Sequence, residues 1–178
     1  MIEEPVRRFI QVDSEGFFHF DGLRVIDEDV GSMLIDNLSQ DDHFRFWTQF
    51  DGQKALIEAF DVPLVAQQIE KLRGTVWRIQ FAYQKHFQFD LRQLRLDEFD
   101  RFHGWTLEKQ LPFVFSRKAQ AQFFSLLDGF TDTSIEFDGH CLEIPELFTA
   151  RPEVEQAHFW SDVYKSSDLP PWDLQMPS

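Results

Sequence analysis

Phe17-Phe18-His19-Phe20-Asp21-Gly22-Leu23-Arg24-Val25-Ile26 is the stretch from which the fold is read. Asp-Gly stands between two runs that alternate apolar and polar residues. A two-residue type I′ turn needs positive φ at both central positions, and Asp-Gly supplies it. That loop length pairs Phe20 with Leu23, His19 with Arg24 and Phe18 with Val25. Phe18, Phe20, Leu23 and Val25 then share a buried face, and His19 and Arg24 the other. The tripeptide Phe-Asp-Gly recurs at Phe50-Asp51-Gly52 and Phe137-Asp138-Gly139, again inside alternating runs. The second hairpin, over 43–50 and 53–60, sets Phe46 opposite Ile57, Trp47 opposite Leu56 and Arg45 opposite Glu58. Apolar pairs on both faces indicate strands covered on both sides. The third hairpin covers 133–137 and 140–144.

Outward from these hairpins, 7–12 alternates as a strand and Asp13-Ser14-Glu15-Gly16 turns the chain. Asp27 caps a helix over 27–38, with Val30, Leu34 and Leu38 on one stripe. Pro63 interrupts an apolar run, because it lacks a ladder donor. Residues 64–72 read as a strand or a short helix, with the strand favoured, Arg73-Gly74 as a turn, and 76–83 and 86–90 as strands. Residues 91–102 fit neither period, and 101–105 (RFHGW) read as an exposed turn. Ser116 caps a second helix to about residue 127 with Ala119 and Phe123 inward, and Pro152 opens a third to about residue 164. The expectation is an α+β fold, dominated by antiparallel hairpins, with about three packed helices and two similar strand-plus-helix halves. Residues 1–6 form a tail and 7–165 one domain, with a sub-division near 73–74. Residues 166–178 form a disordered tail or an extended arm carrying Trp172.

Composition narrows the function. The chain has 178 residues, enough to bury a sizeable core without a staple. It holds 21 Phe against 2 Tyr, so most rings are packing mass without a polar handle. Net charge is −14, from 17 Lys+Arg and 31 Asp+Glu, which disfavours nucleic acid and anionic membrane as partners. One Cys excludes an internal disulfide and fits a reducing compartment. No signal peptide is evident and no apolar run approaches the roughly 18 residues of a span. A cytoplasmic protein is expected.

No catalytic motif stands out. Cys141 falls opposite Glu136 with Glu143 on the same side, and carboxylates disfavour the thiolate a nucleophile needs. The six His make no metal-ligand spacing, so neither metal nor cofactor is expected. His103 draws attention because Gly104 and aromatics surround it. Asp97, Glu98 and Asp100 crowd one stretch, as carboxylates do in acid–base chemistry and as chance allows in an acidic chain. Arg117 stands in the first turn of a helix, where its charge opposes the dipole. A cation held there at a cost either meets a carboxylate, from the protein or a ligand, or points to solvent.

The order of these segments resembles a known family. A strand leads into D-x-x-G-x-F (13–18), then a helix and a long hairpin. Asp61-Val62-Pro63-Leu64-Val65 follows, then F-D-x-x-x-L (89–94), R-F-H (101–103), the helix opening Arg117-Lys118-Ala119, and a short hairpin (134–144). Over roughly 7–148 this resembles the domain of unknown function 4505, or uncharacterised protein family 0598. The segment 61–65 and the Arg117 helix also resemble the domain of unknown function 1285. That second resemblance implies repeated strand-and-helix units and a ligand-binding or signalling role. The chain lacks the first family's cysteines near the second hairpin, so the resemblance does not carry over a metal or redox role that would rest on those cysteines. The resemblances point to Asp61, Pro63, His103 and Arg117 as candidate ligand-binding residues.

Three functions are open on these grounds. The leading one is a non-catalytic module that binds a small molecule or a protein, with His103 and Arg117 in a cleft for an anion. The second is an enzyme, such as a hydrolase, assembled around His103 and the acids at 97–100. The third is a scaffold that docks its C-terminal arm on a partner. Open hairpin edges also suit a homodimer.

Overall fold

The structure is a computed structural model and describes residues 8–147, the side chain of Arg8 excepted. The three Asp-Gly turns form as the sequence requires, with positive φ at Asp21 and Gly22, at Asp51 and Gly52, and at Asp138 and Gly139. The first pairs β2 (Phe18–Phe20) with β3 (Leu23–Arg24) in the expected register, Phe20 to Leu23 and His19 to Arg24. The second joins β5 (Phe46–Phe50) to β6 (Gln53–Ala59), with Trp47 opposite Leu56. The third joins β15 (Ser134–Phe137) to β16 (His140–Glu143), with Glu136 opposite Cys141.

These hairpins are assembled by parallel pairings between distant strands. β1 (Arg8–Val12) pairs antiparallel with β2 and parallel with β6. With β4 (Ser39–Gln40) the result is a six-stranded sheet in the order β3-β2-β1-β6-β5-β4. A central meander follows: β8 (Gln68–Arg73), β9 (Val76–Gln80) and β10 (His86–Asp90), with Gly74 in the β8–β9 turn. The next sheet joins β11 (Arg95–Leu96), β12 (Phe102–Trp105) and β13 (Pro112–Phe115), with β7 (Leu64–Ala66) parallel to β13. β14 (Gly129–Phe130) completes the last sheet with β15 and β16.

Asp27 caps α1 (Glu28–Asp36), its side chain accepting from the Asp29 and Val30 N–H groups. Ser116 caps α2 (Arg117–Leu126) through the Ala119 N–H. The element order of β1 to β6 around α1 recurs in β11 to β16 around α2. Even the parallel closure recurs, since Leu96 bridges Glu146 in parallel as β1 pairs with β6.

Three expectations are corrected. The α+β fold with about three helices gives way to a mostly-β architecture of four sheets, with two α-helices among the described residues. The third helix, at 152–164, and the C-terminal arm lie outside those residues. Residues 101–105 are not an exposed turn: Phe102, His103 and Gly104 are buried in β12, between two neighbouring strands. Their polar and glycine residues mislead because His103 has an internal carboxylate partner and Gly104 must let the Phe113 ring approach. Leu23 is 75% exposed, because β3 is the two-residue edge of its sheet. Elsewhere the phenylalanines behave as packing mass. Phe89, Phe102, Phe113, Phe115 and Phe123 cluster at the centre, Phe113 stacked on Phe115 and the other pairs edge-to-face or tilted.

Candidate functional site

Three aspartates build three nearly identical turns. Asp13, Asp41 and Asp97 each open a hairpin loop in which the residue three further on has positive φ (Gly16 88°, Phe44 63°, Asp100 60°). Its N–H donates to the aspartate carbonyl, and the aspartate N–H donates to the residue four on. This is a type I turn closed by a left-handed residue. In each, one carboxylate oxygen, Oδ1, accepts from the N–H groups two and four residues on. The other, Oδ2, meets a ring nitrogen six residues on: His19 Nε2 at 2.8 Å, Trp47 Nε1 at 2.9 Å and His103 Nε2 at 2.7 Å. The carboxylate thus bolts the turn to the strand that leaves it.

The third turn carries more. Arg101 Nε and Nη2 lie 2.9 and 2.8 Å from Asp97 Oδ2, and Nη2 also lies 2.7 Å from Asp61 Oδ2. Asp61 sits in the crossover between β6 and β7, so Arg101 ties the β11–β12 turn to that crossover. Burial raises the Asp97 carboxyl, but hydrogen bonds from the His103 ring and the Arg101 N–H, with the charge of the Arg101 guanidinium, outweigh it and hold it at about 2. Asp13 and Asp41 are also held below the ordinary value against the opposing effect of burial, by hydrogen bonds headed by His19 and Trp47 respectively. Asp61, Asp97 and His103 offer ligand atoms all within 4.8 Å of one another, a spacing that suits a metal ion. The Arg101 guanidinium sits on both carboxylates and supplies the positive charge such a cluster needs.

In front of Arg101 lies a cleft of about 1040 Å³. The Asp13 turn and the 59–62 crossover form one wall; Asp100, Arg101 and α2 form the other. Phe60 and Phe99, 62% and 65% exposed, contribute rings to it, and Val62, Val65, Phe115 and Phe124 extend the apolar surface. Arg117 and Gln120 face it from one side of α2, and Gln120 Nε2 donates to the Asp100 carbonyl at 2.8 Å. Arg117 is exposed and has no hydrogen-bond or ion-pair partner among the described residues.

Of the four candidate residues, the structure brings Asp61 and His103 together, with His103 Nε2 3.9 Å from Asp61 Oδ2. Arg117 lines the cleft with Asp61. His103, 4% exposed, stands behind Arg101 and does not line it, and Pro63 is buried in the crossover beside Asp61. Sequence reasoning missed Arg101 as the link, and Phe60 and Phe99 as lining. The available signal was the spacing Asp-x-x-x-x-Phe-His/Trp, present at 13–19, 41–47 and 97–103.

Comparison with known proteins gives the fold class. A DUF1285 family protein from Shewanella baltica OS155 superposes with a TM-score of 0.57 at 14% identity, covering 66% of this chain and 91% of that one. A DUF1285 family protein from Silicibacter pomeroyi DSS-3 does so with a TM-score of 0.57 at 14% identity, covering 82% and 86%. The chain is thus similar in fold to proteins of the domain of unknown function 1285. No protein-family model and no curated protein matches the chain, and nothing found bears on the resemblance to domain 4505. No helix among the described residues is long and apolar enough to cross a membrane.

Proposed function

We propose that the protein is a binding module whose site is the cleft between the Asp13 and Asp97 turns, and that its ligand is a small organic molecule with an anionic group. One observation carries this: Arg117, an arginine with no ion-pair or hydrogen-bond partner among the described residues, opens onto a mainly apolar cavity of about 1040 Å³. Ligand sites are concave, mainly apolar and oriented by few polar groups, with volumes on the order of 300–1,000 Å³. The Asp97–His103 pair supports binding over catalysis. Trp47 makes the same bond to Asp41 with a ring nitrogen that does not exchange protons as a base, so the shared role is holding a turn.

The test uses 8-anilinonaphthalene-1-sulfonate, an aromatic monoanion whose fluorescence rises on burial. Saturable binding at a single site is expected. Ala121→Trp, which fills the cleft from an exposed position of α2, should abolish it with the thermal transition unchanged. Arg117→Gln should weaken it about three- to tenfold, a charge-assisted hydrogen bond discounted for exposure. Fluorescence that Ala121→Trp leaves intact would reject the cleft as the site.

A further inference from the structure

We infer that the cleft selects amphipathic monocarboxylates, with the carboxylate on Arg117 and an apolar body laid along Phe60, Phe99 and Phe124; this rests on the cleft being the binding site. The charges of the walls set the head group. Asp61 is committed to Arg101, and Asp13 to His19 and its own turn. Asp100 adds a third acid without a side-chain partner among the described residues. Three acids repel a dianion such as a phosphate monoester at neutral pH, whereas one planar guanidinium matches one carboxylate in a two-point hydrogen bond.

Arg117 bears on the same point through its position. In the first turn of α2 its charge opposes the helix dipole, and no described acid neutralises it. A bound carboxylate removes that conflict, which an ammonium would worsen. The walls set the rest of the ligand. Ala59, Phe60, Val62, Val65, Phe115 and Phe124 give the cavity far more apolar surface than a small acid such as acetate can cover. Affinity should therefore grow with the hydrocarbon.

Titration calorimetry with hexanoate, octanoate and decanoate, below their micellar concentrations, tests this on the full chain. Affinity is expected to rise about two- to fourfold per added methylene, the fraction of full burial that an open cleft permits. Octyl phosphate and octylammonium should bind at least tenfold more weakly than octanoate. Arg117→Gln should weaken octanoate about tenfold without lowering the melting temperature, since the exposed side chain supports no described contact. Affinity independent of chain length, octylammonium binding as tightly as octanoate, or octanoate binding unaffected by Arg117→Gln would each overturn the proposal. If the anilinonaphthalene probe binds and Ala121→Trp removes it while no alkanoate binds, the carboxylate preference fails and the cleft stands. If Ala121→Trp leaves both probe and octanoate bound, the cleft itself fails.

Discussion

The turn at Asp97 and the turn at Asp41 share their backbone hydrogen bonds and a ring nitrogen on the second carboxylate oxygen, yet they stand in different surroundings. The Asp97 and His103 side chains are 7% and 6% exposed, whereas Asp41 is 26% exposed. Arg45, at the place equivalent to Arg101, bonds to Asp41 within its own turn. Arg101 reaches a second acid, Asp61, in the crossover between β6 and β7. The same local device therefore serves as a simple turn lock in one region and as a tertiary clasp in the other. The difference lies in burial and in one added carboxylate, and a histidine beside an acid is not evidence of chemistry by itself.

Removing the carboxylates should break the comparison most clearly. Asp97→Ala leaves His103 and Arg101 facing a hole with little water, and breaking a buried ion pair from one side costs about 3–5 kcal/mol. Asp41→Ala should cost roughly 1–2 kcal/mol, because water reaches the groups left behind. Asp13→Ala, with no arginine in its turn and a side chain 31% exposed, should cost at most about 1 kcal/mol. Urea denaturation of the three variants checks the order. Equal losses would show that burial does not distinguish the turns.

Acid titration sharpens the same contrast. The folded Asp97 carboxyl sits at about 2, below the roughly 3.9 of an unfolded aspartate. Its contribution is therefore complete above about pH 4, declines as the pH falls, and is gone below about pH 2. Asp13 and Asp41, shifted the same way, add to the slope. The stability curve of Asp97→Asn should be flatter than wild type between pH 4 and 2, with the two converging at the acid end. Parallel curves would remove Asp97 from the acid response.

Breaking the clasp from its other side should have a smaller effect. Asp61→Asn keeps an acceptor for Arg101 and leaves Asp97 beneath it, so a loss of about 1 kcal/mol is expected. A double-mutant cycle with Arg101→Gln measures the coupling. A value near zero would mean that the crossover and the Asp97 turn are held by packing alone.

Much of the framework was legible in the sequence because its signals are local. Asp-Gly fixes the two-residue turns and their register, and Asp27 and Ser116 each cap a helix within three residues. The parallel closures of β1 on β6 and β7 on β13 leave no local mark, since each joins segments about fifty residues apart. Arg101–Trp105 was misread because a buried polar residue looks exposed until its partner is known, and the partner of His103 is six residues back across a turn. Arg117 could be singled out by its conflict with the helix dipole. Phe60 and Phe99 could not, because one phenylalanine among many says nothing about which way it faces.

The smallest expected effect is the most specific to the comparison. His19→Trp places in the first turn the ring that the Asp41 turn already uses. An indole Nε1 at this position can donate to Asp13 Oδ2 as Trp47 does to Asp41, and the His19 side chain is 26% exposed and borders a small pocket that can take the larger ring. Stability should stay within about 0.5 kcal/mol of wild type, as for a tolerated surface change. His103→Trp in the sealed third turn should instead cost about 1–3 kcal/mol through overpacking. If His19→Trp proved as costly as Asp13→Ala, turn closure would not account for His19. Attention would then move to the small pocket it lines with Gln11 and Glu58. If it is neutral, the three turns are versions of one device, and the interchangeable ring nitrogen shows that what they require is a donor rather than a base.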